Sequence, residues 1–266
     1  MAAPLLALLA ILLVPVLVPV ASLENGLART PPLGLSTWAA FNQHINDTLV
    51  RSLADGMVES GLAAAGYKYL LVDDGWELQG CRGSAPGLPN SCRAANGTIR
   101  VDTRKFPSMA ATVAYVHSRG LKFGLWFGHA MCAGSNDVEA SAPPKMDFAR
   151  IDAELFAEWG VDAIKHDACG AVPNTTDAIA ANYQRYMRLS KAINNTGRPM
   201  LYDVVLQVQT DVGNGASLPH TNMGSVWSPE PYGGKQAMHK LGNLWWSLPC
   251  NKYEGQRPLP LFFPLS

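Results

Sequence analysis

The sequence predicts an α/β protein built on a parallel sheet, either a (β/α)-barrel or an open doubly wound sheet. Two observations lead there. A unit recurs four times: a helical stretch, a glycine, then a short apolar strand ending in polar residues. A helix therefore separates successive early strands, and such crossovers impose parallel pairing. A third observation narrows the class. No Gly-x-Gly-x-x-Gly follows the first strand, so a dinucleotide-binding sheet has little support.

Taken in order, Leu33 to Trp38 reads as the first strand. Thr48 to Ala65 reads as a helix with Leu49, Leu53 and Met57 on one face, capped by Asp47 or Thr48. Gly66 stops it, and Tyr67 to Val72 forms a strand that runs into Asp73-Asp74. Pro107 to Arg119 carries Met109, Val113 and Val116 at helical spacing, and Gly120 precedes the strand Leu121 to Phe127. Asp147 to Trp159 places Phe148, Ile151, Leu155 and Trp159 on a helix, and Gly160 precedes a strand ending at Asp167. Thr176 to Asn195 is helical, Gly197 follows, and Pro199 to Val205 is the next strand. Each glycine sits where a left-handed backbone ends a helix at little cost. Met223 to Trp227 is a candidate sixth strand, and Gly242 to Trp246 reads as helix or a seventh. The proline-broken end from Arg257 to Pro264 is unlike a closing helix.

Composition sets the wider class. The chain has 266 residues, no net formal charge, 16% charged and 48% hydrophobic residues, which is ordinary for a globular domain. There is no dense Lys/Arg run, so no nucleic-acid partner is expected. Ala2 to Ala21 holds no charge, is dominated by Leu, Val and Ala, and is interrupted by Pro15 and Pro19. Residues 1–22 read as a secretory signal peptide, with a membrane anchor as the competing reading. Residues 23–266 then form the main domain, with no stable membrane span once the signal is removed. Sequons at Asn46, Asn96, Asn174 and Asn194 agree with export. So do five cysteines (Cys81, Cys92, Cys132, Cys169 and Cys250), enough for two disulfides and one leftover thiol. No Cys-x-x-Cys pair occurs and the six histidines form no ligand pattern, so neither metal nor cofactor is expected.

The chemistry concentrates at strand ends. Val161 to Cys169 is a buried strand in which Lys165 and Asp167 share a face and His166 points away. A cation beside a carboxylate favours its ionised form, and an ionised carboxylate at a strand tip can act as a nucleophile. A structural ion pair would have the same pattern. In barrels of this class the site lies at the C-terminal ends of the strands. Those ends here carry Trp38, Asp73-Asp74-Gly75-Trp76, Trp126 to His129, Lys165-His166-Asp167 and Asp203. Carboxylates accept sugar hydroxyls, and tryptophans offer a platform for a sugar ring.

Pro31 to Trp38, Tyr67 to Trp76, Phe106-Pro107, Gly120 to Leu125, Cys132-Ala133-Gly134, Asp152 with Phe156 to Asp162, and Lys165 to Cys169 follow one another in order. As a set, from about Thr30 to Tyr202, they resemble the α-galactosidases (melibiases) of glycoside hydrolase family 27. The resemblance implies a (β/α)8 TIM-type barrel and retaining hydrolysis of terminal α-D-galactosides. It implies Asp167 as nucleophile, Trp38, Asp73, Asp74, Trp126 and Lys165 as galactose-binding residues, and a Cys132–Cys169 disulfide. Cys81 with Cys92 is then the pair suggested by proximity, leaving Cys250 free.

Trp126 stands where the family commonly has Tyr and Ala168 where it has Gly, and after Tyr202 the match decays. Val205 stands where the family has an acidic residue, and Trp227-Ser228 stands where it has Trp-Arg. The family's acid/base is not recognisable. Glu230 is the nearest substitute and Asp211 a lesser one. At most six strands are recognised, so the barrel is expected to be incomplete, lacking its last strands. The partner implied is an α-galactoside oligosaccharide or glycoconjugate, met in the secretory pathway, outside the cell or in a lysosome- or vacuole-like compartment. Two other functions fit the resemblance: α-N-acetylgalactosaminidase, and a catalytically impaired galactose-binding homologue.

Overall fold

The structure, a computed structural model, describes residues 25–78, 91–128, 146–167, 172–173, 176–206, 208–209, 244–247 and 263–264. In chain order the elements are β1 (Leu33–Ser36), α1 (Trp38–Phe41), α2 (Asp47–Glu59), β2 (Tyr67–Val72), α3 (Met109–Ser118), β3 (Lys122–Gly128) and α4 (Phe148–Trp159). There follow β4 (Ala163–Asp167), β5 (Val172–Pro173), α5 (Thr176–Asn195), β6 (Leu201–Leu206), β7 (Val208–Gln209), β8 (Leu244–Ser247) and β9 (Phe263–Pro264).

The main sheet has the order β1-β2-β3-β4-β6-β8-β9. Strands β1, β2, β3, β4 and β6 run parallel side by side and form a half-barrel. β8 continues it in parallel, and β9 is antiparallel at the edge. β5 and β7 make a separate pair. The incomplete barrel expected from the sequence is what the described residues show.

Two elements end before the sequence reading places their ends, and one ambiguity is resolved. The first strand stops at Ser36, and Trp38 opens the short helix α1 instead of ending β1. The second helix ends at Glu59, well before Ala65, because the chain turns through Gly61 at φ +81°. Residues 244–247 are strand, which settles the ambiguity at Gly242 to Trp246. The signal peptide at residues 1–22 and the strand at Met223 to Trp227 lie outside the described residues.

Capping fixes where the helices start. The Asn46 side chain accepts from Leu49 N–H at 2.8 Å, so Asn46 caps α2 in place of Asp47 or Thr48. Ser108 and Asp147 cap α3 and α4 in the same way. Gly160 ends α4 in the left-handed region, at φ 84°.

Alternation along the strands then sorts the residues onto two faces. Leu70, Phe123, Leu125, Ile164, Tyr202 and Val204 are buried against the helices. They meet Val50, Ala54 and Met57 of α2, Val113 and Val116 of α3, Phe156 of α4 and Ile193 of α5. Burying each large apolar side chain stabilises the fold by about 1.5–3 kcal/mol. His166 belongs to this face, as its position predicts. Its ring hydrogen-bonds the Tyr202 hydroxyl and packs on Phe127 and Tyr186.

A second device ties the segment after β2 to the helices. Arg93 and Asp152 form a bidentate pair at 2.7 and 2.7 Å, sealed from water, with the guanidinium over the Phe148 ring. Cys92, beside Arg93, is disulfide-bonded. Cys81, Cys132, Cys169 and Cys250 lie outside the described residues, and so does the expected Cys132–Cys169 bond.

Candidate active site at the strand ends

The opposite face of the sheet carries the polar residues. Register aligns Trp126 of β3 with Lys165 of β4, and Lys165 with Asp203 of β6. Two residues on, Gly128 aligns with Asp167. Because a strand alternates its side chains, Trp126, Lys165, Asp167 and Asp203 share one face. Asp73 leaves β2 at the same end.

Asp73 is held on every side. Its N–H donates to Thr37 Oγ1 at 2.9 Å, and Thr37 N–H donates to the Leu71 carbonyl. Its Oδ1 accepts from Asp74 N–H at 2.9 Å, and its Oδ2 accepts from Lys165 Nζ at 2.7 Å. With 2% of its surface exposed, Asp73 is a buried carboxylate paired with a nearly buried ammonium. Burial alone would lower the Lys165 pKa. The charge and hydrogen bond of Asp73, with Asp167 and Asp203 behind it, win and raise it. Lys165 is therefore a firm cation that faces several carboxylates.

Asp74 is also buried. Its Oδ2 accepts from Gln43 Nε2 at 2.6 Å, while Oδ1 is buried and has no hydrogen-bond partner among the described residues. Burial pushes its pKa up, and the Asp73 and Asp167 charges add to that, against the lowering hydrogen bonds from Gln43 and the Gly75 backbone. Asp167 sits at the tip of β4, half-buried, with the Trp126 indole N–H 3.5 Å from its Oδ2. Tyr186, fully enclosed, has its pKa raised well above the usual value by burial and by the Asp167 charge.

The structure thus brings Asp73, Asp74, Trp126, Lys165 and Asp167 to one end of the sheet. Trp38 lies at the start of α1, 42% exposed and one residue past the Thr37 that anchors Asp73. Trp76 is different: it is part of the core, against Phe156 and Trp159, and donates to the Trp126 carbonyl at 2.8 Å. It supports the strand ends and offers no platform to a sugar. Glu230, Asp211 and His129 lie outside the described residues.

Sequence reasoning missed Thr37 and Gln43 as partners of the aspartates, and gave Asp203 no role beside Lys165. Thr37 had a signal, because it adjoins Trp38 in a strand-end motif. Gln43 had none, since a loop glutamine carries no periodicity. A cleft of about 620 Å³ lies between α4 and α5, lined by Asp147, Arg150, Glu154, Arg188, Lys191 and Asn195 among others. It is on the helical side and includes none of the strand-end residues. Among the described residues, no group of His, Cys, Asp and Glu is arranged to hold a metal ion. No helix among them is long and apolar enough to cross a membrane.

Comparison with known proteins gives a consistent result. A family model described as Alpha galactosidase A matches residues 36–213. Alpha-galactosidase 2 of Arabidopsis thaliana is 34% identical over 207 residues, 77% of this chain and 46% of that protein. Alpha-N-acetylgalactosaminidase of Gallus gallus is 34% identical over 193 residues, 68% of this chain and 42% of that protein. Among solved structures, alpha-galactosidase I of Mortierella vinacea superposes with a TM-score of 0.53 at 29% identity, covering 68% of this chain and 41% of that one. An alpha-galactosidase of Saccharomyces cerevisiae solved with raffinose gives a TM-score of 0.54 at 26% identity, covering 69% and 37%. The chain spans less than half the length of these relatives.

Proposed function

The chain belongs to the alpha galactosidase A family, glycoside hydrolase family 27, and from that membership we propose that it is a secreted retaining glycosidase acting on terminal α-D-galactosyl residues. The observation that carries this reading is the strand-end cluster: Asp73 bonded to Lys165, with Asp167 and Asp203 close enough to bear on the lysine.

Asp167 is the nucleophile of this proposal. One of its carboxylate oxygens attacks the anomeric carbon as the bond to the leaving oxygen breaks, and the sugar becomes an ester on Asp167. A second carboxylic acid, about 5–5.5 Å away in retaining enzymes, gives its proton to the leaving oxygen. It then takes a proton from the water that hydrolyses the ester. Glu230 is the candidate for that second group. Asp73 and Asp74 accept sugar hydroxyls, Lys165 donates to them, and Trp38 and Trp126 flank the ring. Export would place the chain in the secretory pathway. There the exposed Asn46, Asn96 and Asn194 are glycosylation sites, and Cys132 bonds Cys169.

The test is hydrolysis of p-nitrophenyl α-galactoside beside the N-acetylgalactosaminide, with Asp167→Asn as control. Release from the galactoside that vanishes in Asp167→Asn is the expected result. Preference for the N-acetyl substrate would move the chain to the alpha-N-acetylgalactosaminidase side of its family. Galactose binding without turnover would mark a binding protein. Equal rates in wild type and Asp167→Asn would remove Asp167 from the mechanism.

A further inference from the structure

Gln43 lies in the loop between α1 and α2, and nothing in its sequence surroundings marks it. Its amide nitrogen donates to Asp74 Oδ2 at 2.6 Å. The amide orientation follows from the network, because the oxygen of Gln43 turned to the same place would face a carboxylate. The donor is held from behind. Lys105 Nζ donates to the Gln43 carbonyl at 2.9 Å and to the Gly75 carbonyl at 3.0 Å. Lys105 is itself anchored, since its carbonyl accepts from Asp47 N–H and its N–H donates to the Asp102 carbonyl. Gly75 closes the junction at φ +109°, where a Cβ would come within 2.8 Å of the Gln43 backbone. Only glycine allows the two segments to lie this close.

From this geometry we infer that Gln43 is a positioning residue for Asp74: its amide takes up Oδ2 and leaves Oδ1 as the acceptor for a galactose hydroxyl. The inference rests on the galactoside reading above. Three facts support it. Oδ1 is buried and has no partner among the described residues, and such an acceptor gains most from a donor that arrives with a ligand. Oδ2 already accepts a short bond from Gln43. And Gln43 works against the burial and the charges that push Asp74 towards its protonated form. The charged and titratable groups around Asp74 are Asp73 at the end of β2, Asp167 on β4 and Glu77 in the following turn. Lys165 is engaged by Asp73, and Lys105 by the two backbone carbonyls.

The experiment compares wild type, Gln43→Met, Gln43→Asn, Asp74→Asn and the double variant Gln43→Met/Asp74→Asn of the full chain. Galactose binding is measured by calorimetry across pH, and the Asp74 carboxyl titration by carbon NMR. Gln43→Met should weaken binding about tenfold, the value of one hydrogen bond to a charged group. It should also move the acid limb of binding, and the Asp74 titration, to higher pH. In the Asp74→Asn background the same change should have little further effect, because the partner is gone. Gln43→Asn, with a donor on a shorter arm, should fall between wild type and Gln43→Met. Equal losses with and without Asp74, or an unmoved titration, would mean that Gln43 only braces the loop and would overturn the inference. If wild type binds no galactose the functional reading fails. The Asp74 titration still decides whether Gln43 controls that carboxyl, so the two failures are distinguishable.

Discussion

The two ends of the parallel sheet carry aspartates in opposite conditions. At the N-terminal end, Asp162 precedes β4 and is saturated. It accepts from His117 at 2.7 Å, from Arg198 at 2.8 Å and from Phe123 N–H at 2.8 Å. Its partners come from α3, from the residues before β6 and from β3, so it stitches the bottom of the sheet together. At the C-terminal end Asp73, Asp167 and Asp203 gather around Lys165, and Asp74 lies within reach of the Asp73 and Asp167 charges. There Asp74 keeps a buried oxygen without a partner among the described residues. One end has matched its charges, and the other has concentrated buried and half-buried carboxylates near one lysine. A fold gains nothing from such an excess, whereas the proposed sugar site would use it.

Removing the proposed nucleophile breaks the comparison most sharply. Asp167→Asn should lower α-galactoside turnover by on the order of 10³-fold or more. Its melting temperature should stay at or above that of wild type, because one of several like charges is gone. A large loss of stability would place Asp167 with the structural aspartates instead.

Lysine removal comes next. Lys165→Met strands the buried Asp73 charge and should cost about 3–5 kcal/mol in denaturant unfolding. Arg198→Met, at the half-exposed opposite end, should cost about 1 kcal/mol, because Asp162 retains His117, the Phe123 N–H and water. Similar losses at both ends would mean that burial is not what separates them.

The pH dependence of stability is a finer probe. The Lys165 pKa is raised on folding, so its contribution is complete below the ordinary lysine value and is lost as pH rises through the raised one. Lys165→Met should therefore flatten the alkaline limb of a stability profile. Asp74 is also raised, but it is an acid, so the folded state holds a proton that the unfolded chain has released. Its effect favours folding as pH falls from the raised value towards the ordinary aspartate value, and opposes folding at neutral pH. Asp74→Asn should raise thermal stability near neutral pH, with the difference closing in acid.

Much of this end was legible because alternation in a strand is strict. Lys165 and Asp167 had to share a face, His166 had to oppose them, and the glycines after the helices marked where strands begin. Motif order supplied Asp73 and Asp74. What escaped notice depends on chain segments that are distant in sequence. Gln43 and Lys105 act through contacts 31 and 62 residues away, which no local period reports. Trp76 carried the same strand-end signal as Trp126 but turned into the core against Phe156 and Trp159. Trp38 reads as strand by its neighbours, yet the backbone curls into α1 once Thr37 has bonded across to β2. Asn46 outcompeted Asp47 as a cap because its extended backbone aims the side chain at Leu49 N–H.

The most direct measurement is to trap the reaction on the protein. A 2-deoxy-2-fluoro-α-galactosyl fluoride forms the sugar ester quickly and releases it slowly, so mass spectrometry of the digested adduct locates the attacking carboxylate. The account predicts a single fluorogalactosyl ester on Asp167. A stable adduct on another carboxylate would contradict it, as would steady turnover of an unmodified galactoside by the Asp167→Asn protein.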